Sequence, residues 1–528
     1  MCRIGKNDFQ IGVERFVEMN RRYWGNGSEE ITEGEKWIYV LHTNHLKFSW
    51  CMTENIVAKA LQNGEKLPIA SIISGRANDL MNLIDQVDES FGIQQRYCPS
   101  YSNYDSKEIR ILAGKMASET YGNKVELLSL EYRGVRFGDV LYNEIIRGGS
   151  AKDRGKVFDC FSISQDQYYG HIRDTLAAID QAYEIFEVKK PGFLVVTEYF
   201  YTKSLYAYVA EVLGATIIIT SVAIGAPDIM VQINSDRRQL SDIKYSDIRL
   251  VICEKCLEYY LADDSTYKDF FVTKNECEDK IQIPEAWNNK RNVFILPHII
   301  GDSPRTGCRH NFYHDYGEWF VETVKIAKDI PDVNWIIKDH PYTSYYGQRD
   351  YIRSIFEKYR TENMFWMDSE CSGLRIKDVA DCVLTCAGDA GIEYWAYGIP
   401  TITAGDAYYC NWGISYQMKT IAEYENILKN ISNIPKPSEQ SVEMSRKYVL
   451  SVKNWSTYSD TYTNLIAKVA EREELSMKTS GVVYGVLDWA DQQFGKITRD
   501  FLEAFVELMK KQDLRESTIY QLKHLCTL

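Results

Sequence analysis

Val333-Asn-Trp-Ile-Ile-Lys-Asp-His-Pro341 is the stretch of sequence from which the fold can be inferred. Its apolar run has the length of a buried strand and ends abruptly in charged and polar residues before a proline. Residues 316–330, which precede it, carry apolar side chains at helical spacing, among them Trp319, Phe320 and Val324. A helix that leads into a buried strand is the unit of a parallel sheet with crossover helices, so the stretch predicts an α/β fold.

The rest of the second half follows the same alternation. Further strands are predicted at residues 293–297, 381–385 and 399–404. A short helix is predicted at residues 390–397, and Asp389 is suited to its N-cap because its carboxylate can accept a backbone hydrogen bond there. The second half therefore predicts one Rossmann-like domain.

The first half contains a second series of apolar runs. Strands are predicted at residues 37–42, 67–74, 124–130, 192–197 and 216–220, and helices at residues 50–62 and 205–213. Because 528 residues exceed what one hydrophobic core supports, we predict two Rossmann-like domains, at residues 1–245 and 246–472, with a helical extension at 473–528.

The overall composition excludes several classes of protein. A formal charge of -13 argues against a nucleic-acid partner, because binding to phosphates needs a surplus of Lys and Arg. The first residues lack the pattern of a secretory signal and no window is apolar enough to span a membrane, so a cytoplasmic location is expected. An apolar stripe that includes Phe501, Phe505 and Met509 makes peripheral contact with the inner membrane the alternative. The thirteen scattered cysteines indicate reduced thiols.

The most unusual residues of the second half follow its predicted strands, and ligands of parallel sheets bind beyond those strand ends. The turn from Thr385 to Asp389 contains Gly388 and leads into a helix, an arrangement that can expose backbone N–H groups to a phosphate. Glu393 lies one turn further, where a carboxylate can accept hydrogen bonds from a ribose diol. This segment predicts the nucleotide end of a donor site.

Two further clusters support that prediction. Lys338 and His340 follow the strand at 333–337 and would contact the donor phosphates, while Pro341 fixes the turn. His298 and Asp302 follow the strand at 293–297, where His298 could act as a general base or contact phosphate. The spacing of these histidines and carboxylates does not match a helical zinc-enzyme motif, so neither a metal nor another cofactor is expected.

The segments Asn334–Pro341, Gly388–Pro400 and Gly405–Ile414 together resemble the capsule polysaccharide biosynthesis proteins, and most of all the bacterial Kdo transferases of that group. The resemblance covers roughly residues 290 to 420. It implies the GT-B fold, in which two Rossmann-like domains face a central cleft without a metal requirement, and CMP-activated 3-deoxy sugars as donors. It also implies that Tyr409 and Trp412 line the donor pocket.

The catalytic carboxylate that the resemblance implies belongs to the first domain, and its acidic motif is not clearly reproduced. Glu131 and Asp139 are the nearest candidates, at the end of the strand predicted over residues 124–130, and either could face the cleft. Glu198, which follows the strand at 192–197, is a rival.

These residues predict a glycosyltransferase that moves a nucleotide-activated sugar to a glycan or glycolipid acceptor in surface-polysaccharide synthesis. A transferase of CDP-linked polyols, a nucleotide-sugar epimerase and a non-catalytic subunit of a polysaccharide assembly complex remain the alternatives.

Overall fold

The structure of the chain is a computed structural model. It describes residues 34–43, 51, 54–55, 57–59, 61–62, 66–74, 81–93, 95–99, 104–148, 159–219, 230–233, 249–250, 287, 290–305, 312–340, 343, 347–367, 373–407, 409–410, 413–446 and 518–521.

The first lobe is built on an eight-stranded sheet in the order β3-β2-β1-β6-β7-β8-β16-β9. The five strands from β3 to β7 are parallel, and β8 joins β7 in antiparallel fashion. The strands are β1 (Lys36–His42), β2 (Ile69–Ile73), β3 (Gln95–Tyr97), β6 (Lys190–Val196), β7 (Thr216–Ile219), β8 (Met230–Ile233), β9 (Arg249–Leu250) and β16 (Thr518–Gln521). Its chain order reverses between β1 and β6, which is the switch point of a Rossmann-like sheet.

The helices of this lobe cover the sheet. They include α1 (Met81–Ser90), α2 (Lys107–Thr120), α3 (Lys124–Leu128), α4 (Gly138–Arg147), α5 (Gln165–Val188) and α6 (Leu205–Val212), and residues between 51 and 62 are also helical where the structure describes them. A separate hairpin is formed by β4 (Glu131–Tyr132) and β5 (Val135–Arg136). The buried face of α5 packs Ile172, Leu176 and Ile179 into the core, because these positions recur at helical spacing.

The second lobe has six parallel strands in the order β12-β11-β10-β13-β14-β15. The strands are β10 (Arg291–Ile295), β11 (Val333–Lys338), β12 (Met364–Met367), β13 (Cys382–Thr385), β14 (Thr401–Thr403) and β15 (Tyr416–Gln417). The helices are α7 (Tyr316–Lys328), α8 (Arg349–Tyr359), α9 (Ala390–Ala396) and α10 (Ile421–Lys429). The chain order reverses between β10 and β13, so this sheet also has the Rossmann switch point.

The two lobes meet along helix α4. Asp139 forms an ion pair with Arg305 at 3.0 Å, and Asn143 Oδ1 accepts a hydrogen bond from the Arg305 backbone N–H at 3.0 Å. Tyr142 donates its hydroxyl to Asp315, the N-cap of α7, at 2.5 Å. The predicted α/β class with two Rossmann-like lobes facing a cleft is therefore confirmed.

Two predictions of secondary structure are wrong. Residues 124–128 form helix α3 instead of a strand, because Asn123 Oδ1 accepts hydrogen bonds from the Val125 and Glu126 N–H groups and starts a helix. In the predicted helical extension, the described residues Thr518–Gln521 are strand β16 of the first sheet. The apolar stripe around Phe501 lies outside the described residues. None of the helices in the described part of the chain has the length and apolar character of a membrane span.

We expect Gly138→Ala to destabilise the chain by about 1–3 kcal/mol, because close packing leaves no room for a methyl group there. Gly138 begins α4, and the methyl would press on the carbonyl oxygens of Leu127 and Leu128. Urea unfolding measures the change. Gly170→Ala is the matched control, since Gly170 lies within helix α5 with nothing within 4 Å and should gain about 0.5–1 kcal/mol. Equal stability of the two variants would contradict the tight start of α4.

Candidate functional site at the carboxyl edges of the two sheets

His298 occupies the switch point of the second sheet. It follows β10, the strand that lies between β11 and β13, so its loop emerges between the two loops predicted to bind phosphate. Its ring stacks on Tyr316 with 4.4 Å between ring centroids, and its Nε2 accepts a hydrogen bond from the Ala387 N–H at 3.1 Å. Because Nε2 is the acceptor, a neutral ring carries its proton on Nδ1. His298 therefore supports the turn after β13.

The turn after β13 is more self-contained than the sequence predicts. The N–H of Gly388 donates to Thr385 Oγ1 at 3.3 Å, so this donor and that of Ala387 are both used within the protein. Asp389 is the N-cap residue of α9, as predicted, but it is in helical conformation and its side chain does not make the expected capping hydrogen bond. Helix α9 has only seven residues. The close approach here favours glycine, because a Cβ on Gly388 would lie 3.0 Å from Thr385 Oγ1 and 3.1 Å from His298.

The segment after β11 places charged groups at the same edge. Lys338 is buried, and its Nζ donates to the Asp339 carbonyl oxygen at 3.3 Å. Asp339 Oδ2 pairs with Arg349 at 2.9 Å, whereas its buried Oδ1 has no hydrogen-bond partner among the residues that the structure describes. A buried acceptor of this kind needs a donor to offset its lost hydration. His340 is half-buried and its carbonyl accepts two hydrogen bonds from Thr343.

These loops contact one another. Gln348, which precedes α8, accepts a hydrogen bond from the Ile300 N–H through its side-chain Oε1 at 2.8 Å. This bond connects the loop after β11 with the loop after β10. His298 connects the loop after β10 with the turn after β13. The three sequence clusters thus form one edge, as expected from the parallel order of their strands.

Glu198 faces this edge from the first lobe. It follows β6 at the switch point of the first sheet, with a side chain that is 15% exposed. Arg147, the last residue of α4, lies 3.5 Å from its carboxylate. The same guanidinium lies 4.1 Å from the ring centroid of Tyr201. The ion pair is partly shielded from water, so it orients the carboxylate in the cleft.

Tyr201 contacts both Arg147, the partner of Glu198, and the second lobe. Its hydroxyl lies 3.5 Å from the Gly301 carbonyl oxygen, and the backbone of Arg147 packs beside Gly301. Burial raises the pKa of the Tyr201 hydroxyl, Arg147 opposes that shift, and the carboxylates of Asp302 and Glu198 add to it. Asp302 and Glu198 therefore act on the same phenol from opposite lobes.

Glu131 and Asp139 lie elsewhere. The hairpin that carries Glu131 is fastened to the end of α5, where Arg133 pairs with Asp180 at 2.9 Å and its carbonyl accepts the Tyr183 hydroxyl at 2.7 Å. Helix α5 leads directly into the amino end of β6, so the hairpin and Glu131 lie at the amino edge of the first sheet, opposite the carboxyl edge that carries Glu198. The prediction that Glu131 faces the cleft is wrong, because the residues before it form helix α3 and not the predicted strand that would have ended at the cleft. Asp139 forms an ion pair with Arg305 where the two lobes meet.

The remaining predicted residues differ in exposure. Glu393 is half-buried on α9. Tyr409 is fully buried and donates its hydroxyl to the Gly388 carbonyl oxygen at 2.6 Å, so it supports the turn from beneath instead of lining an open pocket. Trp412 lies outside the described residues. Sequence reasoning missed Arg147 and Tyr201, whose positions depend on how α4 packs between the lobes.

Comparison with known proteins leaves the family open. No protein-family model matches the sequence, and no curated protein is significantly similar to it. Among solved structures, the beta Kdo 2,4 transferase KpsC of Thermosulfurimonas dismutans is 14% identical, with 50% of this chain and 80% of that chain covered and a TM-score of 0.33. The S. aureus MnaA structure with UDP is 10% identical over 81% of this chain and 97% of that one, with a TM-score of 0.29. The UDP-GlcNAc 2-epimerase of Neisseria meningitidis is 11% identical over 79% of this chain and 99% of that one, with a TM-score of 0.23.

Proposed function

We propose that the chain is a glycosyltransferase that uses a nucleotide-activated sugar. One observation carries the proposal: the switch points of two Rossmann-like sheets meet across a cleft, with a buried lysine on one side and an oriented carboxylate on the other. Crevices beyond such switch points are where parallel sheets bind ligands. A sugar nucleotide bound here would have charge stabilisation at its phosphate end and a proton acceptor near its sugar.

The donor phosphates would bind at the edge of the second sheet. Lys338 supplies positive charge, and His340 follows it on the same loop. The unpartnered Oδ1 of Asp339 would accept a hydroxyl from the donor. Thr385 and Glu393 flank the turn that His298 and Tyr409 hold in place, and Glu393 would accept the ribose hydroxyls.

Glu198 would act as the general base. Its carboxylate takes a proton from the acceptor hydroxyl as that oxygen attacks the anomeric carbon and the bond to the donor phosphate breaks. Lys338 stabilises the negative charge that develops on the departing phosphate, which lowers the barrier because the charge is greatest in the transition state. Arg147 and Tyr201 hold Glu198 in place, and Asp302 closes the same region from the second lobe.

The identity of the donor rests on the resemblance of residues 334–341 and 388–414 to the Kdo transferases of capsule synthesis. We propose a CMP-linked, Kdo-like sugar as the donor and a surface glycan or glycolipid as the acceptor. The reaction would need no metal ion, because Lys338 takes the place of a cation at the phosphates.

We expect CMP to raise the melting temperature of the chain by a few degrees, since a ligand at 100 times its Kd stabilises by about 2.7 kcal/mol. CDP and UDP at the same concentration test the base preference, and inorganic phosphate is the control for charge alone. Differential scanning calorimetry measures the shifts.

If none of the three nucleotides stabilises the chain, the donor site is not where we place it. An incubation with UDP-GlcNAc and no acceptor distinguishes the epimerase alternative, because an epimerase converts a sugar nucleotide to its epimer without any acceptor. Product formation from CMP-Kdo compared with CDP-glycerol separates the transferase from a polyol transferase.

A further inference from the structure

Four side chains that the proposed transfer reaction does not use converge at the switch point of the first sheet. His42 is the last residue of β1, Cys51 and Glu54 lie on the helical residues that follow, and Asp88 lies on α1. All four are at most 1% exposed. One donor atom each from His42, Cys51 and Glu54 lie within 4.8 Å of one another, a separation that allows all three to contact one ion.

The two ring nitrogens of His42 have different neighbours. Nε2 lies 3.2 Å from Asp88 Oδ1, and Asp88 is itself fixed by Asn55 Nδ2 at 2.8 Å and Ser71 Oγ at 2.6 Å. Nδ1 lies 2.6 Å from Glu54 Oε2, and the thiol of Cys51 completes the donor set. A carboxylate that holds one nitrogen while the other faces further donors is the usual arrangement around a metal-bound histidine.

Glu54 has one carboxylate oxygen, Oε2, in position to bind an ion. Its Oε1 accepts the Thr197 N–H at 2.8 Å, which leaves Oε2 directed at His42. Cys51 and Glu54 are three residues apart on a helix and therefore project from the same face. One thiol, one imidazole and one carboxylate suit zinc, whereas magnesium and calcium prefer oxygen ligands only.

We propose that His42, Cys51 and Glu54 bind a divalent ion of the zinc type, with Asp88 orienting the imidazole. Binding displaces two protons, one from the thiol and one shared between His42 and Glu54, so the buried cluster exchanges two positive charges for one Zn²⁺. A water molecule can supply the fourth ligand that tetrahedral zinc requires. The ion would join the ends of β1 and β6 and so fix the backbone beside Glu198, apart from the donor phosphates.

The full-length chain, freed of metal with a chelator and titrated with Co²⁺, tests the proposal. We expect a thiolate-to-cobalt charge-transfer band that saturates at about one equivalent, together with the visible bands of a tetrahedral ion. Cys51→Ser should abolish the charge-transfer band. Cys160→Ser is the matched control, because Cys160 is also a buried free thiol of the first lobe, and it should keep the band. Asp88→Asn should weaken binding about 10–100-fold without removing the band at saturation.

Absence of the band in the wild-type chain, or its persistence in Cys51→Ser, overturns the proposal. If Cys51→Ser does not fold, X-ray absorption at the zinc edge of the unchanged chain decides the matter. One sulfur with nitrogen and oxygen neighbours supports the site, and no sulfur or several sulfurs overturn it. Nucleotide stabilisation is measured separately on the metal-free chain, so failure of this site and failure of the transferase proposal give different results.

Discussion

Glu198→Gln is expected to lower the rate of sugar transfer by about 10²–10⁴-fold, the usual contribution of a general base. Glutamine keeps the size of the side chain and can still interact with Arg147, which lies 3.5 Å from the carboxylate. It has no basic oxygen that can take the proton of the acceptor. Steady-state kinetics with saturating donor measure the loss in kcat, and nucleotide affinity should remain at the wild-type value because the donor phosphates bind on the other lobe.

Glu131→Gln is the matched control for this experiment. Glu131 is an exposed carboxylate on the hairpin at the opposite edge of the same sheet, so we expect wild-type kinetics from this variant. Melting temperatures of both variants show whether folding is intact. A fully active Glu198→Gln variant would contradict the role of Glu198, and an inactive Glu131→Gln variant with an intact fold would return the search for the base to the hairpin.

The buried strands were predictable from the sequence because their apolar runs are continuous. Strands β1, β6, β10, β11 and β13 are buried on both faces over most of their length, so each contains a continuous run of at least three apolar residues. Residues 124–130 were misread because Val125, Leu127 and Leu128 fit a strand or a helical turn equally well, and the deciding feature is the cap at Asn123. Strand β12 was missed, since Met364–Met367 has no β-branched residue to signal it.

The candidate site was only partly predictable for a related reason. Residues that follow neighbouring parallel strands must meet at one edge, so His298, Lys338 and the turn at Gly388 could be grouped from strand order alone. The contacts of Glu198 with Arg147, and of Tyr201 with Gly301, depend on the packing of α4 between the lobes. The packing of α4 between the lobes brings together residues that are far apart in the chain, so it cannot be predicted from the spacing of residues in the sequence. His42 gave a local signal, as a histidine that ends a buried strand.

Lys338→Met is expected to raise the Kd for the donor nucleotide about 10–100-fold, because a hydrogen bond to a charged group contributes about 1.5–3 kcal/mol. Lys338 is only 6% exposed, and burial of an ammonium group costs free energy that a backbone carbonyl at 3.3 Å offsets in part. A phosphate would be a stronger, charge-assisted partner. Isothermal titration with the nucleotide that gives the largest thermal shift measures the change.

Methionine has a similar length to lysine, so the unliganded Lys338→Met chain should keep the fold, and urea unfolding compares its stability with that of the wild type. Lost affinity with unchanged stability would therefore come from the missing charge and not from a damaged fold. Lys290→Met is the control, because Lys290 donates to the Pro331 carbonyl oxygen next to the amino end of β10, at the far edge of the same sheet. If the two variants bind nucleotide equally well, the phosphates are held by other residues and the donor site must be moved away from β11.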